Sequence, residues 1–342
     1  MQTLTIRKPF DAHVHFRVGP MLQAVTPLIA RWCQVAIAMP NTTPAIISGT
    51  DALVYKDQIV SAARSPIFIP LMTVKLTDET RPGEVKDWVN AGVVAAKLYP
   101  TGVTTGSANG VSNTKILFDV FLEMAQAGII LSIHGEMPGI DPQLAEQSYL
   151  PTIREILDLP RRPKTIVEHI SSAEAIKLVN EYGGDVFATI TPHHMVMTDK
   201  DVYDRSGRPR PLNWCKPPAK TEEDREAVIN AALTSIGKYF YGTDFAPHPG
   251  VSKFQDSPAA GCANLPVGLI RVIEIADRHG KLDWIESFTS SFGAKAYGVE
   301  LSDQTITFER KSSTVPRVMH IANEDSLYFW EGGQTCEWSL VG

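Results

Sequence analysis

The chain is organised around a short stretch close to its N-terminus, Phe10-Asp11-Ala12-His13-Val14-His15-Phe16-Arg17. Side chains alternate between the two faces of an extended strand, so His13 and His15 point to the same side. Two imidazoles on one face can chelate a metal ion. An isolated His-x-His pair is equally often a pair of core or surface histidines, so the metal interpretation depends on ligands elsewhere in the chain.

Outward from this stretch, eight short runs rich in apolar and β-branched residues alternate with segments of helical periodicity. This alternation is typical of βα units around a parallel sheet, and eight strands favour an α/β fold of the closed (β/α)8 TIM barrel type over an open doubly wound sheet. The predicted strands are Asp11–Phe16, Gln34–Met39, Ile67–Thr73, Val93–Leu98, Ile129–His134, Thr165–His169, Asp185–Thr191 and Tyr239–Thr243. The predicted helices include Asp51–Ala63, Pro82–Asn90, Lys115–Gln126, Thr152–Leu157, Ser172–Tyr182 and Glu222–Leu233. A glycine-rich nucleotide fingerprint is absent after the early strands.

After the eighth strand the sequence predicts a helical region over Pro266–Tyr297 and then a change of character. The last residues are polar and aromatic, with alternation in Thr305–Glu309 and Leu327–Trp330. We therefore expect residues 1–299 to form the barrel. Residues 300–342 are expected to form a small C-terminal tail of short strands that packs on the barrel as part of the same domain.

Composition excludes several classes of partner. Lys and Arg number 32 against 38 acids, a net charge of -6 with no basic block, so we expect no nucleic acid and no anionic membrane as partner. The apolar runs are too short to span a bilayer, which predicts a soluble protein. The four cysteines are far apart and form no CxxC motif, and the N-terminus carries no signal-peptide pattern. Reduced thiols and a cytoplasmic location are therefore expected.

The predicted strand ends carry a set of polar side chains that a barrel would bring to one mouth, because barrel active sites lie at the C-terminal ends of the strands. These residues are His13, His15, Lys97, His134, His169 and Asp244. Imidazoles and a carboxylate suit Zn²⁺ or a similar divalent metal, and the set exceeds what one tetrahedral site takes, so two metals are expected.

Lys97 does not fit the metal set as a free amine, because an ammonium with a pKa near ~10.4 would repel a cation. One interpretation is an inward lysine that balances charge or clamps a substrate. The other is a carbamate formed with CO₂, which would turn the amine into a carboxylate able to bridge two ions.

Several motifs together resemble the amidohydrolase superfamily and, within it, the dihydroorotase family of the shorter, stand-alone type. The motifs are HVH at 13–15 followed by Arg17, AMPNTTP at 38–44, KLYP at 97–100, LYPTGVTT at 98–105, TITPHH at 189–194, GTDFAPH at 242–248 and AGCAN at 260–264. The resemblance extends from about Thr5 to Gly293. It agrees with the barrel that the strand pattern predicts.

The resemblance implies a role for each of the metal candidates. His13, His15, Asp244 and Lys97 as N6-carboxylysine would hold the more buried ion, and Lys97, His134 and His169 the other. A hydroxide would lie between the two metals, and Asp244 would move a proton to and from the substrate nitrogen as general acid and base. Zn²⁺ is the expected metal, although Co and Mn accept the same ligands.

The resemblance also implies the substrate, dihydroorotate in exchange with N-carbamoyl-L-aspartate, a step of pyrimidine synthesis. Arg17 would pair with the substrate carboxylate in bidentate fashion, and Asn41 and His248 would complete the grip. Thr104 and Thr105 would reach the ligand from a Gly-, Ser- and Thr-rich loop at 101–113 that acts as a lid. Ala260 in the AGCAN stretch would be a further substrate contact. Without the resemblance, Asn41 would be interpreted as a turn residue, His248 as a loop histidine and the loop at 101–113 as a plain connector.

Three points stay open at this stage. A related cyclic-amide hydrolase, such as a hydantoinase or an allantoinase, would share the metal ligands but not the clamp of Arg17, Asn41 and His248. A non-catalytic scaffold homologue would lack ligands that are all present here. Lys216 departs from the bacterial type, where an apolar residue stands and its main chain touches the ligand. The resemblance further suggests a homodimer.

Overall fold

The computed structural model describes residues 2–322 and 325–341 and contains an eight-stranded parallel barrel. A first strand, β1 (Thr3–Arg7), precedes it. The barrel strands are β2 (Phe10–Val14), β3 (Val35–Ala38), β4 (Ile69–Lys75), β5 (Ala95–Leu98), β6 (Ile130–Ile133), β7 (Thr165–Val167), β8 (Val186–Ile190) and β9 (Tyr239–Tyr241). Each of them pairs with the next in chain order. Just beyond β2 and β9 the ring closes where the His15 N–H donates to the Phe245 carbonyl at 3.0 Å. The predicted (β/α)8 TIM barrel is confirmed.

Helices lie between the strands, as the sequence pattern predicts. They are α1 (Gly19–Trp32), α2 (Gly49–Ala63), α3 (Glu84–Asn90), α4 (Phe118–Ala127), α5 (Pro142–Leu157), α6 (Ala173–Glu181), α7 (Pro192–Val196), α8 (Asp199–Val202), α9 (Glu222–Thr234), α10 (Gly250–Lys253), α11 (Gly268–Arg278) and α12 (Phe292–Tyr297). Ser172 caps α6 by accepting from the Ala175 N–H, and Gly128 ends α4 in the left-handed region. Within the described ranges, every helix is too short or too polar to cross a membrane.

Two helices differ from the sequence expectation because each contains an internal proline. The expected helices do not include α1, which holds Pro27, and α5 begins at Pro142 rather than at Thr152. Proline inside a helix removes a hydrogen bond and usually marks a boundary. Here both helices continue through the proline because one face of each is packed on the barrel, with Val25 and Ile153 fully buried.

The core has two parts that together leave one end of the barrel for polar side chains. One apolar cluster takes residues from strands around the ring, including Phe10, Val35, Ala95, Ile166 and Phe240, and so fills the interior. A larger cluster lies between the strands and the helices. Because the interior is plugged by apolar residues, the functional side chains collect at the carboxyl ends of the strands.

The C-terminal segment adds short strands beside the barrel. The strand β10 (Thr305–Glu309) pairs antiparallel with β1, and the later strands are β11 (Ser313–Thr314), β12 (Val318–Met319), β13 (Leu327–Tyr328), β14 (Thr335–Cys336) and β15 (Ser339–Leu340). Trp330 connects this segment to the barrel side, because its N–H donates to the Ala263 carbonyl at 3.0 Å. The expected ranges 1–299 and 300–342 include Met1, Asn323, Glu324 and Gly342, which lie outside the described residues.

Replacing Trp338 with alanine tests whether tail and barrel unfold together. Trp338 is fully buried, and its Nε1–H donates to Asp277 Oδ2 on α11 at 3.0 Å. We expect a loss of about 3–5 kcal/mol in the free energy of unfolding, in a single transition, because a large buried side chain leaves a cavity. Denaturant titration followed by fluorescence and circular dichroism measures it, with Val341→Ala at an exposed position as control. A separate early transition of the tail, with the barrel transition unchanged, would contradict a single domain.

Candidate active site

His13, His15 and Asp244 come together at the carboxyl ends of β2 and β9. Asp244 Oδ1 lies 3.4 Å from His13 Nε2 and 3.0 Å from His15 Nε2, and all three residues are buried. One ligand atom from each lies within 4.8 Å of the others, which is close enough to hold one metal ion. The strand pattern therefore brings its two histidines to the same side, as predicted.

Partners on the far side of each ring orient these imidazoles. The Nδ1–H of His13 donates to Glu168 Oε2 at 2.9 Å, and the Nδ1–H of His15 donates to Asn41 Oδ1 at 2.7 Å. Both acceptors are oxygens without a proton to give, so each Nε2 keeps its lone pair facing Asp244. Burial lowers the pKa of both histidines, which keeps the rings neutral as metal ligation requires.

A second pair of histidines lies at the ends of β6 and β7. His134 Nδ1 is 3.1 Å from His169 Nε2, so the two ring nitrogens converge on one point. The opposite nitrogen of His134 donates to Glu136 Oε2 at 2.6 Å, which leaves its Nδ1 lone pair free. Burial lowers the pKa of His169 well below its usual value. The pair could therefore hold a second cation.

Lys97 on β5 lies between the two histidine groups with its amine unused. The side chain is fully buried, and its Nζ has no hydrogen-bond partner among the described residues. The nearest carboxylate, Glu168 Oε1, is 3.9 Å away. Burial lowers the pKa of Lys97 to about 8, because the charges of Glu168 and Asp244 only partly offset the lost hydration. A buried lysine whose Nζ makes no hydrogen bond is costly and calls for a chemical explanation.

Glu168 is the anion that connects these groups. Besides His13 it accepts hydrogen bonds from Ser132 and Thr189. Burial alone would raise its pKa, but the nearby Lys97 and His13 hold the pKa at about 2, so Glu168 is a carboxylate. From the sequence, Glu168 and Glu136 could either lie on the opposite strand face or contact the candidate metal-binding histidines from outside. The structure places both in contact with a histidine of the site.

The chain adopts left-handed backbone geometry where it turns into the site. His169 and Asp244 have φ values of 41° and 45°, and Arg17 has a φ of 62°. For residues with a Cβ this region costs on the order of 1–3 kcal/mol, and such strain concentrates at functional sites. The His169 N–H donates to Thr189 Oγ1 at 2.6 Å, which helps to hold the turn.

The side chains expected to hold the substrate lie around the same opening. One cavity is lined by both histidine groups and by Arg17, Asn41, Thr104, Thr105, Lys216 and Ala260. Arg17 is anchored from behind, because its Nε donates to the Pro247 carbonyl at 2.8 Å. His248 Nε2 lies 3.0 Å from Arg17 Nη2 and 3.0 Å from the Ala260 carbonyl oxygen. His248 Nε2 accepts from Arg17 in one tautomer and donates to the Ala260 carbonyl in the other, so it can contact either of these lining residues.

The loop at 101–113 is held against the cavity by contacts that sequence reasoning missed. The buried Lys75 at the end of β4 donates from Nζ to the Gly106 carbonyl at 2.8 Å, and Asn41 Nδ2 donates to the Thr105 carbonyl at 3.1 Å. Gly106 has a φ of +71°, and a Cβ there would lie 2.9 Å from the Asn41 carbonyl oxygen. A lysine at the end of an apolar strand was the available signal for this contact.

His193 and His194 form a separate group with Cys215, with ligand atoms within 4.8 Å of one another. The ring nitrogens of His194 lie 2.7 Å from Thr191 Oγ1 and 2.9 Å from the Pro217 carbonyl oxygen. Both nitrogens are thus engaged in holding neighbouring loops. His193 Nδ1 lies 3.0 Å from Asn264 Nδ2.

Relatives with close to the same length share a large part of this sequence, although no protein-family model matches it. The chain is 39% identical to the dihydroorotase of Neisseria gonorrhoeae (strain ATCC 700825 / FA 1090) over 98% of each chain. It is 35% identical to the dihydroorotase of Pseudoalteromonas atlantica over 99% of each chain. The similarity therefore includes both the barrel and the C-terminal segment.

Solved structures agree with these relatives. Dihydroorotase from Saccharomyces cerevisiae, in complex with 5-fluoroorotic acid, superposes with a TM-score of 0.92 at 28% identity, over all of this chain and 99% of the other. Dihydroorotase from Campylobacter jejuni gives 0.90 at 29% identity, over all of this chain and 98% of the other. An L-hydantoinase from Arthrobacter aurescens, 18% identical with a TM-score of 0.77 over 98% of this chain and 83% of the other, shares the fold. With curated relatives at this identity over almost its full length, the chain belongs to the dihydroorotase family.

Proposed function

We propose that this protein interconverts N-carbamoyl-L-aspartate and L-dihydroorotate, the ring-closing step of pyrimidine synthesis. One observation carries the proposal: two histidine groups line the same cavity as Arg17, and the unpartnered amine of Lys97 lies between them. The cavity thus combines residues suited to activating water with a guanidinium suited to a carboxylate.

The residues fit two divalent metals, which we propose to be Zn²⁺. His13, His15 and Asp244 would hold one ion and His134 and His169 the other, with Lys97 as N6-carboxylysine shared between them. The supporting observations are the free lone pairs of the imidazoles and the orphaned Lys97 Nζ. Two such ions would lower the pKa of water and polarise the substrate carbonyl.

Carbamate formation at Lys97 follows ordinary amine chemistry. The ammonium first loses a proton; the neutral amine then attacks CO₂, an N–C bond forms as one C=O π bond opens, and a second proton leaves, so a cation becomes an anion. Burial lowers the pKa of Lys97 to about 8, which increases the neutral fraction near pH 7. The product carboxylate would satisfy the buried position that the ammonium leaves unpaired.

Asp244 is proposed as the group that moves the proton. Burial raises the pKa of its carboxyl, which makes proton acceptance easier than for an exposed aspartate. In ring opening, water adds to the amide carbonyl, the C–N bond breaks, and Asp244 delivers a proton to the departing nitrogen. In ring closure Asp244 takes that proton back.

Arg17, Asn41 and His248 are proposed to fix the carboxylate that both substrates carry. Pro247 anchors Arg17 through Nε, and this contact leaves donors on the terminal nitrogens for a planar anion. Asn41 holds both His15 and the Thr105 carbonyl, so it joins the metal group to the loop. Thr104 and Thr105 would add hydroxyl contacts, and Ala260 a main-chain contact, when the loop covers the ligand.

An assay of the purified, zinc-loaded protein tests the proposal. We expect conversion of N-carbamoyl-L-aspartate and of dihydroorotate, and little hydrolysis of hydantoin or allantoin. Hydrolysis of a hydantoin without conversion of dihydroorotate would instead support a hydantoinase-type enzyme. A protein that binds no metal and converts none of these compounds would support a scaffold role.

Replacing Thr105 with alanine is expected to lower turnover about tenfold while metal content stays unchanged. The side chain lines the cavity from the loop and is not one of the proposed metal ligands, so its loss would remove a contact made when the loop closes. Steady-state kinetics and elemental analysis measure the two quantities. Ser112→Ala in the same loop region, where Ser112 bonds Asp78, is the control. Loss of metal from the Thr105 variant would count against this role.

The resemblance to stand-alone dihydroorotases also suggests a homodimer in the cytoplasm. Light scattering on the purified protein should give about twice the chain mass of 37.5 kDa. A mass close to that of one chain would contradict the homodimer.

A further inference from the structure

Lys216 places a second cation at the cavity that the proposed reaction uses. It lines the cavity with Arg17, Asn41 and the histidine groups, and its side chain is 17% exposed. Its Nζ lies 5.5 Å from the ring centroid of Trp214 and 3.9 Å from Glu136 Oε1. At these distances the ammonium has one charged neighbour, Glu136, and one aromatic ring, but keeps its hydrogen-bond donors available for a ligand.

The backbone on both sides of Lys216 is held firmly. The Trp214 carbonyl accepts from the Gly261 N–H at 2.8 Å, and the Pro217 carbonyl accepts from His194 Nε2 at 2.9 Å. The buried Lys253 donates from Nζ to the Ala259 and Gly261 carbonyls, each at 2.8 Å. The segment of Lys216 is thus joined to the loop of Ala260, so the ammonium stands at a defined place on the cavity wall.

The charge of Lys216 also matters for Glu136. Glu136 is fully buried, and its Oε1 has no hydrogen-bond partner within residues 2–322 and 325–341, while its Oε2 accepts from His134. Without Lys216, this carboxylate would present an uncompensated negative charge close to a cavity that admits anions. The ammonium offsets that charge and leaves the wall favourable to an anionic ligand.

The two proposed substrates differ in charge, and this difference gives Lys216 a function. N-carbamoyl-L-aspartate carries two carboxylates, whereas dihydroorotate carries one, because the second carboxylate has become part of the ring amide. We propose that Lys216 is a specificity-determining residue that strengthens binding of the open, doubly charged substrate relative to the closed, singly charged one. This inference rests on the proposed function and adds a role for a residue outside the metal groups and the Arg17 clamp.

Thermodynamics restricts how the effect can appear. Both directions share one equilibrium constant, so no substitution can change the ratio of the two kcat/KM values. If only the binding of N-carbamoyl-L-aspartate is weakened, its KM and its kcat must therefore rise by the same factor relative to the KM and kcat for dihydroorotate. A loss of general structure would instead lower kcat in both directions.

Lys216→Met removes the charge at similar length and is the principal variant. We expect the ratio of KM for N-carbamoyl-L-aspartate to KM for dihydroorotate to rise about tenfold, as one charge a few ångströms from an anion contributes in a partly solvated site. The ratio of the two kcat values should rise by the same factor. Lys216→Arg should stay within about twofold of the parent protein.

Controls separate this effect from others. Lys200→Met removes one exposed charge on α8, away from the cavity lining, and should leave both KM values unchanged. Lys216→Gln repeats the test should the methionine variant not fold, which thermal unfolding and metal content report. An equal change of both KM values, no change in either, or equal impairment of the arginine and methionine variants would overturn the proposal. A parent protein that converts neither substrate would instead overturn the proposed function.

Discussion

Replacing Lys97 with alanine is expected to lower turnover about a thousandfold or more and to reduce bound metal from two ions per chain. Lys97 lies between the two histidine groups, and its Nζ has no hydrogen-bond partner in the described chain. If a carboxylate formed on it joins two ions, its loss removes several kcal/mol of charge stabilisation, and each 1.36 kcal/mol corresponds to about tenfold in rate. Steady-state kinetics and elemental analysis on the same preparation measure both effects.

Chemical rescue makes this experiment specific. The alanine variant leaves a buried space where the lysine side chain lay, so added acetate or propionate can supply a carboxylate at that place. We expect partial recovery of activity and of metal content that saturates with the acid. Lys200→Ala, at an exposed position, should change neither. A Lys97 variant that keeps two metals and normal turnover would rule out a carbamate at this residue.

Replacing Asp244 with asparagine is the other substitution with a large expected effect. The amide keeps an oxygen near His13 and His15 but cannot accept a proton at neutral pH. We therefore expect kcat to fall by about a thousandfold, in the range of general acid–base catalysis, in both directions of the reaction. Stopped assays in each direction measure it, alongside metal analysis to show that both ions remain.

The matched control for Asp244 is Asp11→Asn on β2. Asp11 is also buried behind the site, where it accepts from the N–H and hydroxyl of Thr243, but it stands outside the cavity lining. Its variant should cost stability more than turnover. An Asp244 variant with two metals and kcat within tenfold of the parent would mean that another group moves the proton.

Local sequence patterns predict the barrel because the strands are short apolar runs with clear ends. All eight strands lie within two residues of the predicted bounds, since a strand buried on both faces needs continuous apolar residues. Some of the differences fall at the carboxyl ends of the strands, next to the site. His15, His169 and Asp244 leave the sheet ladder and turn into the site.

Other features depend on contacts between distant residues, which local patterns do not contain. His169 and Asp244 adopt the left-handed backbone region although neither is a glycine, so the sequence gives no signal of this conformation. Lys75 ends β4, whereas the loop that it holds follows β5. Internal prolines predict a break in α1 and in the first half of α5. Both segments are nevertheless helical, because burial of one helix face outweighs the local preference of proline.

The orientation of Glu168 inside the site is also not predicted by the local sequence. From the sequence, its neighbour His169 stands out as a strand-end ligand, while Glu168 could face either way. Only the closed ring brings Ser132, Thr189 and His13 around its carboxylate. The candidates on strand ends could thus be predicted, and the groups that orient them could not.

The central claim is that Lys97 is the shared residue of a two-metal centre. Crystals of the zinc-loaded protein, measured on both sides of the zinc absorption edge, test it most directly. We expect two anomalous peaks, one beside His13 and His15 and one beside His134 and His169, with additional density for a carboxylate on Lys97 Nζ. A single peak, or a bare Lys97 amine next to two peaks, would contradict it.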